Sequence, residues 1–420
     1  MPDNQNRINT IIRSCKLISR MYKADPKVPR SHVLYLQMLA DYYTSLLSAK
    51  KQKGFVAAHT IFFPVEILYA MDITPMHTEL TAWMTALFTG SCEDLLARSS
   101  ATGLAAEICS PYRVLNGALY SEALPSPDVV LWTNLICDNA VKGGDIIMHK
   151  TGCPGYFLDC PNSQTEKEND YLKQEVLDLI TFLENKSGHK MDWNKLSDSI
   201  AVISRQIDLF RQINDLRKCV PSPFPPQDFL KLFTVDCLLA GQSQVTEYLT
   251  LARQELIEER DRLKGDTSVE RFRIMNIGMP PVLLLGTIEK FSKEYNAVSV
   301  SDPFFCQWGE GQLNFSSPLE AILDKIKLNP VMTMYGPMDN RVVNMVIDSA
   351  IQYKVDGAIY YAHIGCRQSS ALIKLIKDKL NEINIPVLIL DSDIIDVTIT
   401  PEAELQKKLR QFYELLEDRR

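Results

Sequence analysis

The second half of the chain alternates short apolar runs with helical stretches, and this limits the folds that it can adopt. Four runs rich in Ile, Val, Ala and Tyr cover residues 272–278, 297–302, 357–362 and 386–391. Residues with helical spacing separate these runs or follow them, over 283–294, 317–327, 339–353, 367–382 and 401–418. Strands that alternate with helices form parallel sheets, because a crossover helix returns the chain before the next strand begins. We therefore predict a four-stranded parallel sheet here.

The first half carries a looser version of the same plan. Strands are predicted over residues 54–59, 72–78, 129–133 and 145–149. Pro64 begins a short helix between the first two strands, since proline is well tolerated in the first helical turn. Residues 80–98 also have helical spacing. Two similar α/β domains would then face each other across a cleft.

Helical spacing dominates the rest of the chain, at the N-terminus and in the middle. The prediction is an α/β protein with two Rossmann- or flavodoxin-like domains, each built on a short, parallel, four-stranded sheet. N-terminal helices and a helical insertion complete it. The expected parts are an N-terminal helical segment (1–50), a first α/β domain (51–165), a helical segment (166–268) and a second α/β domain (269–420).

Composition excludes several classes of protein. The chain has 420 residues, of which 46% are hydrophobic and 23% charged, so it is long enough for two or three globular domains. A net charge of −7 argues against a nucleic-acid-binding surface. No apolar run approaches the length of a membrane span, and the start, Met-Pro-Asp-Asn-Gln, is polar where a secretory signal is apolar. We expect a cytoplasmic protein that binds neither nucleic acid nor membrane.

Three of the ten cysteines stand out by their surroundings: Cys109, Cys137 and Cys366. Cys137 and Cys366 each lie just past an apolar run that reads as a buried strand, and ligands in open α/β sheets sit beyond the carboxyl ends of strands. Thiolates in such a place are candidate ligands for a soft metal or an iron–sulfur cluster. The residues alone leave this triplet as one of several possible groupings, and each cysteine has the alternative of being a small buried side chain. Three thiolates would leave one cluster iron open to substrate.

Four motifs resemble the 2-hydroxyacyl-CoA dehydratase and benzoyl-CoA reductase family of anaerobic enzymes. They are Pro64-Val-Glu-Ile-Leu-Tyr-Ala-Met-Asp-Ile-Thr-Pro, Cys109-Ser-Pro-Tyr-Arg, Cys137-Asp after an apolar strand, and Gly365-Cys366 before a helix. The likeness covers nearly the whole chain from about residue 50. The segment Ala70-Met-Asp-Ile is similar to the sequence of the larger, substrate-activating type of subunit.

The resemblance implies a cofactor and partners. Cys109, Cys137 and Cys366 would bind one [4Fe–4S] cluster whose fourth iron position is open or holds a small ligand. A homologous second subunit would complete a heterodimer, a separate ATP-dependent iron–sulfur activator protein would supply the electron, and the substrate would be an acyl-CoA. This sequence has no Gly-x-x-x-x-Gly-Lys-Ser/Thr phosphate loop, which agrees with ATP being bound by another polypeptide.

One segment departs from the family pattern. Many members follow the second cysteine with Asp-Gly and several lysines. Here the sequence is Cys137-Asp-Asn-Ala-Val-Lys, with a single Lys142 before Gly143 and Gly144.

The resemblance also implies a chemistry and candidate catalytic residues. One electron added to a thioester carbonyl gives a ketyl radical anion, which expels a nearby oxygen and acidifies the neighbouring C–H bond. By alignment on the Pro64 motif, Thr60 matches a hydroxyl residue near the open iron, and Glu79 matches an acidic residue of the same pocket. We assign Thr60 as a hydrogen-bond donor to the substrate oxygen and Glu79 as the acid or base for the leaving hydroxyl. His59 is a third candidate, with His77 and His363 secondary, and Glu66 is interpreted as structural.

The leading hypothesis is therefore a subunit of a radical (R)-2-hydroxyacyl-CoA dehydratase. A subunit of an ATP-dependent benzoyl-CoA (aryl-CoA) reductase is the first alternative, because it uses the same cluster plan. A non-catalytic subunit that relays electrons to its partner is the second. A zinc-binding or cluster-free protein is the third.

Overall fold

The computed structural model describes residues 6–135, 138–161, 165–225, 228–266, 268–305, 308–329 and 341–420. The strands are β1 (Val56–His59), β2 (Thr74–His77), β3 (Val129–Thr133), β4 (Gly155–Leu158), β5 (Phe272–Ile277), β6 (Ala297–Ser301), β7 (Gly357–His363) and β8 (Val387–Ser392). The helices of the first half are α1 (Asn6–Ala24), α2 (Arg30–Lys51), α3 (Glu66–Ala70), α4 (Thr78–Thr89), α5 (Glu93–Ala101), α6 (Ser110–Tyr120), α7 (Asp138–Thr151) and α8 (Glu166–Ser187). Those of the second half are α9 (Trp193–Arg217), α10 (Asp228–Leu238), α11 (Ser243–Leu263), α12 (Leu285–Glu294), α13 (Pro318–Leu328), α14 (Arg341–Gln352), α15 (Arg367–Glu382) and α16 (Glu402–Asp418).

Two parallel four-stranded sheets form the frame of the molecule. Their strand orders are β2-β1-β3-β4 and β6-β5-β7-β8, so the two sheets share one topology. β7, at the centre of the second sheet, is buried along its whole length, as expected for a parallel strand covered by helices on both faces. The predicted α/β class with two short parallel sheets is confirmed. The four boundaries given from the sequence stay a prediction.

The predicted strand over residues 145–149 is wrong, because this segment belongs to helix α7. The fourth strand of the first sheet is β4, which pairs with β3. The buried face of α7 consists of Asn139, Ala140, Gly143, Gly144 and Ile147, a helical spacing carried mostly by small or polar residues. The longest apolar run in this segment is Ile146, Ile147 and Met148, and so short a run resembles a strand.

Helices α8 to α11 form the predicted helical segment. α8 begins with a capping box between Thr165 and Glu168 and is capped at its C-terminus by Gly188, whose φ of 75° is accessible to glycine without strain. No helix within the described part of the chain has both the length and the apolar character that a bilayer crossing requires.

A buried ion pair joins this helical segment to the second sheet. Arg217, the last residue of α9, donates a hydrogen bond to Asp302, which follows β6. Both side chains are almost completely excluded from solvent, at 0% and 2% exposure. The Arg217 guanidinium also lies 4.3 Å from the ring centre of Phe224.

Candidate active site

A cavity of about 110 Å³ lies beyond the carboxyl ends of strands from both sheets. Its walls include Ile61 after β1, Met279 after β5 and Cys366 after β7. In each sheet the strand order reverses next to these strands, between β1 and β3 and between β5 and β7. Such switch points are where open α/β sheets bind ligands. The rest of the wall is mostly apolar: Leu80, Trp83, Pro111, Phe233, Phe304, Phe305 and Ile394.

Cys109 and Cys366 both line this cavity, although they come from distant parts of the sequence. The backbone of Gly365 packs against that of Cys109. A Cβ at position 365 would stand 2.5 Å from the Cys109 nitrogen and 2.6 Å from its Cα, distances that real Cβ atoms do not show. Glycine before Cys366 is therefore a steric requirement for bringing the two cysteines together.

Three helices begin beside this contact. Cys109 is the residue before α6, and Cys366 is the residue before α15. α7 begins at Asp138, which forms an ion pair with Arg367 at the start of α15. The Asn139 side chain donates a hydrogen bond of 2.7 Å to the Gly365 carbonyl. The positive ends of the helix dipoles at these N-termini favour negatively charged sulfur or a bound anion.

Cys137 itself lies outside the described residues. Among the residues that the structure does describe, no three His, Cys, Asp or Glu side chains are grouped as metal ligands. The structure thus brings Cys109 and Cys366 together with Asp138 and Asn139, the two residues that follow Cys137 in sequence.

Glu79 also lines the cavity, and its carboxyl is held by several partners. The Ile61 amide donates to Oε1 at 3.2 Å, and the Tyr112 hydroxyl donates to the same oxygen. Oε2 lies 2.5 Å from the hydroxyl oxygen of Thr78. These contacts leave the carboxyl little freedom to turn.

The contacts of Thr78 favour a proton on Glu79. The Thr78 hydroxyl has a single proton but lies near two acceptors, the His59 carbonyl at 3.0 Å and Glu79 Oε2. The carbonyl can only accept, so a protonated Oε2 that donates to Thr78 satisfies both contacts. Burial raises the pKa of Glu79 and outweighs its hydrogen bonds, which agrees with a neutral acid.

The two histidines behind Glu79 are uncharged. Burial lowers the pKa of His59 to about 4 and holds the pKa of His77 well below its ordinary value. His59 Nδ1 donates to the Thr60 carbonyl at 3.0 Å, and its ring centre lies 4.9 Å from that of His77. His77 Nδ1 accepts from the Leu80 amide and caps α4.

Thr60 and His59 are not among the residues that line the cavity. Thr60 is fully buried, and its Oγ1 accepts a hydrogen bond of 3.3 Å from the Thr133 amide at the end of β3. His363 does line the cavity, and burial lowers its pKa, so neutral Nε2–H donates to the Met279 carbonyl at 2.5 Å.

Glu66 lies away from the cavity and pairs with Lys325 at 2.7 Å. Its side chain is completely buried. Glu66 is the first residue of α3 and also forms an ion pair with Lys325, a residue far away in the sequence.

A comparison with known families matches most of the chain. The model for the 2-hydroxyglutaryl-CoA dehydratase D-component family matches residues 60–416. The chain belongs to this family.

Curated relatives of this dehydratase-family chain are distant but cover most of it. An (R)-2-hydroxyisocaproyl-CoA dehydratase alpha subunit from Clostridioides difficile is 24% identical, over 93% of this chain and 97% of the relative. An (R)-phenyllactyl-CoA dehydratase alpha subunit from Clostridium sporogenes is 21% identical, over 88% and 91%. A benzoyl-CoA reductase subunit from Thauera aromatica is 21% identical, over 73% and 74%.

Sequence reasoning missed Tyr112 as a residue of the site in this dehydratase-family chain. Its ring lines the cavity, and its hydroxyl contacts Glu79, 33 positions away in sequence. The sequence did contain one indication: Tyr112 lies three residues after Cys109, which places it in the first turn of α6.

Proposed function

We propose that this chain is the iron–sulfur subunit of a radical (R)-2-hydroxyacyl-CoA dehydratase, which removes water to give a 2-enoyl-CoA. The proposal rests on one observation. Cys109, Cys366 and Glu79 line the same cavity, between the ends of two parallel sheets. Family membership adds the dehydratase chemistry.

Cys109, Cys137 and Cys366 would hold a [4Fe–4S] cluster. Two of these cysteines share the cavity, and three helix N-termini beside them favour an anionic group. When bound, such a cluster would supply an electron of low reduction potential and a Lewis-acidic iron, which together allow a thioester ketyl to form.

Glu79 is proposed as the acid that protonates the leaving hydroxyl. Its burial raises the pKa of the carboxyl and so favours the protonated form, and the Ile61 amide and the Tyr112 hydroxyl fix its orientation. Thr60 is proposed, from the family resemblance, as a hydrogen-bond donor to the substrate oxygen, although in this structure it is buried outside the cavity lining and its Oγ1 accepts from the Thr133 amide. His59, neutral and next to Thr60, is proposed to support that position.

The wall of the cavity supports a substrate with an apolar acyl chain. Among the described residues that line it there is no Arg or Lys to pair with a terminal carboxylate. An acyl chain ending in a carboxylate would lose its hydration without gaining a counter-charge there.

The partners in the proposal are a homologous second subunit and a separate ATP-dependent iron–sulfur activator. Several relatives are named as alpha subunits of dehydratases, which supports a complex of more than one chain. The proposed compartment is the cytoplasm.

An aryl-CoA reductase subunit is the second candidate, favoured by one observation. Trp83, Phe233 and Phe304 give the cavity aromatic walls that suit a planar ring. One relative is named as a benzoyl-CoA reductase subunit. The relay subunit stays the third reading.

Three CoA thioesters separate these readings when given to the complete complex with activator, ATP and reductant. We expect a branched apolar (R)-2-hydroxyacyl-CoA to yield enoyl-CoA over many turnovers per electron supplied. A 2-hydroxyacyl-CoA with a terminal carboxylate should react at least tenfold more slowly, and benzoyl-CoA should not be reduced. Product analysis by mass spectrometry, with reductant consumption followed in parallel, gives the result.

The other outcomes identify the alternatives. Ring reduction with electrons consumed in proportion to product would make the chain a reductase subunit. If dehydration continued after the cavity residues of this chain had been replaced, the chain would be a non-catalytic subunit that relays electrons.

A further inference from the structure

Tyr112 occupies a particular position between the cavity and Glu79. Its side chain is 3% exposed, its ring forms part of the cavity wall, and its hydroxyl donates to Glu79 Oε1. The Ile61 amide donates to the same oxygen but is fixed by the backbone. Tyr112 is therefore the adjustable member of the pair of donors that orients this carboxyl.

Gly143 of α7 makes room for the Tyr112 ring. A Cβ at position 143 would stand 2.3 Å from Cε1 and 2.5 Å from Cδ1 of Tyr112, so any larger residue must displace the ring. Glycine inside a helix is unfavourable relative to alanine, so its presence at this buried position points to a packing reason. α7 is also the helix that begins directly after Cys137.

The neighbouring Gly144 offers an internal comparison. A Cβ there would stand 2.4 Å from Cδ2 of Trp132, a ring that does not line the cavity. Both glycines lie on the same buried face of α7, and each makes space for one aromatic ring. Only the ring beside Gly143 is connected to Glu79.

We propose that Tyr112 is a positioning residue that sets the direction of the Glu79 carboxyl, and that Gly143 is required because it admits the Tyr112 ring. This inference rests on the proposed role of Glu79 as the proton donor. It assigns a function to the segment that departs from the family pattern, in which a single Lys142 precedes Gly143 and Gly144. The contact itself is independent of the substrate.

The first test is infrared spectroscopy of the cluster-loaded complex without substrate. The carboxylic acid band of Glu79 is identified as the band that Glu79→Gln removes. Tyr112→Phe takes a donor from Oε1, which strengthens the C=O bond, so the band should move to higher frequency. Gly143→Ala should move it in the same direction, and Gly144→Ala should leave it in place.

The second test is steady-state turnover of the same variants. Tyr112→Phe and Gly143→Ala should lower kcat roughly tenfold to a hundredfold, the range for losing one hydrogen bond to a carboxyl that becomes charged as it gives up its proton, with KM within about threefold of wild type. Gly144→Ala should keep kcat within about threefold. The double variant Tyr112→Phe/Gly143→Ala should be no slower than Tyr112→Phe, because both changes remove the same contact.

An unmoved band in Tyr112→Phe would overturn the inference, as would a Glu79→Gln spectrum that loses no carboxylic acid band. Equal losses of kcat in Gly143→Ala and Gly144→Ala would show that Gly143 serves only the general packing of α7. Should Gly143→Ala fail to fold, Tyr112→Phe decides alone. A wild-type complex that dehydrates no 2-hydroxyacyl-CoA would refute the proposed function, while the infrared shift would still test the positioning.

Discussion

Turnover by the Glu79→Gln variant is expected to fall by about 10²- to 10⁴-fold, with the iron content unchanged. Glutamine can accept the hydrogen bonds from the Ile61 amide and Tyr112, so the cavity keeps its shape but loses its acid. Because burial raises the pKa of Glu79, wild-type turnover should fall only as the pH rises through that raised value. This basic limb should be absent from the residual activity of the variant. Rates measured across pH give both results.

Glu66→Gln is the matched control for this experiment. Glu66 is also buried, but it pairs with Lys325 outside the cavity, so its loss should lower stability and leave kcat within a few-fold of wild type. If Glu79→Gln retained more than about a tenth of the wild-type kcat, the assigned acid would be wrong. The relay reading would then gain support.

The free energy of unfolding of Asp302→Ala is expected to be about 3–5 kcal/mol lower than that of wild type. The substitution leaves the Arg217 guanidinium buried opposite no carboxylate, with weak hydrogen bonds to Asn214 and the Ser299 carbonyl at 3.4 and 3.5 Å and the contact with the Phe224 ring. A charge left without its partner in the interior is far more costly than the loss of the pair as a whole. Urea denaturation followed by circular dichroism under anaerobic conditions measures the change.

Two further variants test whether the unpaired buried charge causes this loss of stability. Asp378→Ala breaks an exposed ion pair with Lys374 on α15 and should cost less than about 1 kcal/mol. Arg217→Met/Asp302→Leu removes both buried charges and should be more stable than Asp302→Ala alone. A single variant that loses as little as Asp378→Ala would show that the buried pair does not hold the helical segment on the second sheet.

The sheets could be predicted from the sequence because their strands are uniformly apolar and their helices amphipathic. β7 is buried at every position, and the stretch 367–382 appears as α15 with the same bounds. Helix α7 could not be predicted, because its buried face is made of Asn139, Ala140, Gly143 and Gly144, with Ile147 as its one large apolar residue. Periodicity of hydrophobic residues does not register such a face.

The site was predictable as a set of residues but not as a geometry. The family motifs pointed to Cys109, Cys366 and Glu79, and the structure brings these three to one cavity. The contact between Tyr112 and Glu79 depends on the packing of α6 against α7 at Gly143, which no local pattern encodes. The contacts of Thr78 with two acceptors, which favour a protonated Glu79, likewise appear only in the folded structure.

Iron and acid-labile sulfide content after anaerobic purification tests the central claim most directly. The wild type should contain about four irons per chain, as should Cys160→Ala, whose cysteine is buried and lies outside the cavity. Cys109→Ala, Cys137→Ala and Cys366→Ala should each lose the cluster and its visible absorption. Full iron content in any one of these three variants would contradict the assignment of that ligand, and a wild type without iron and sulfide would contradict the account as a whole.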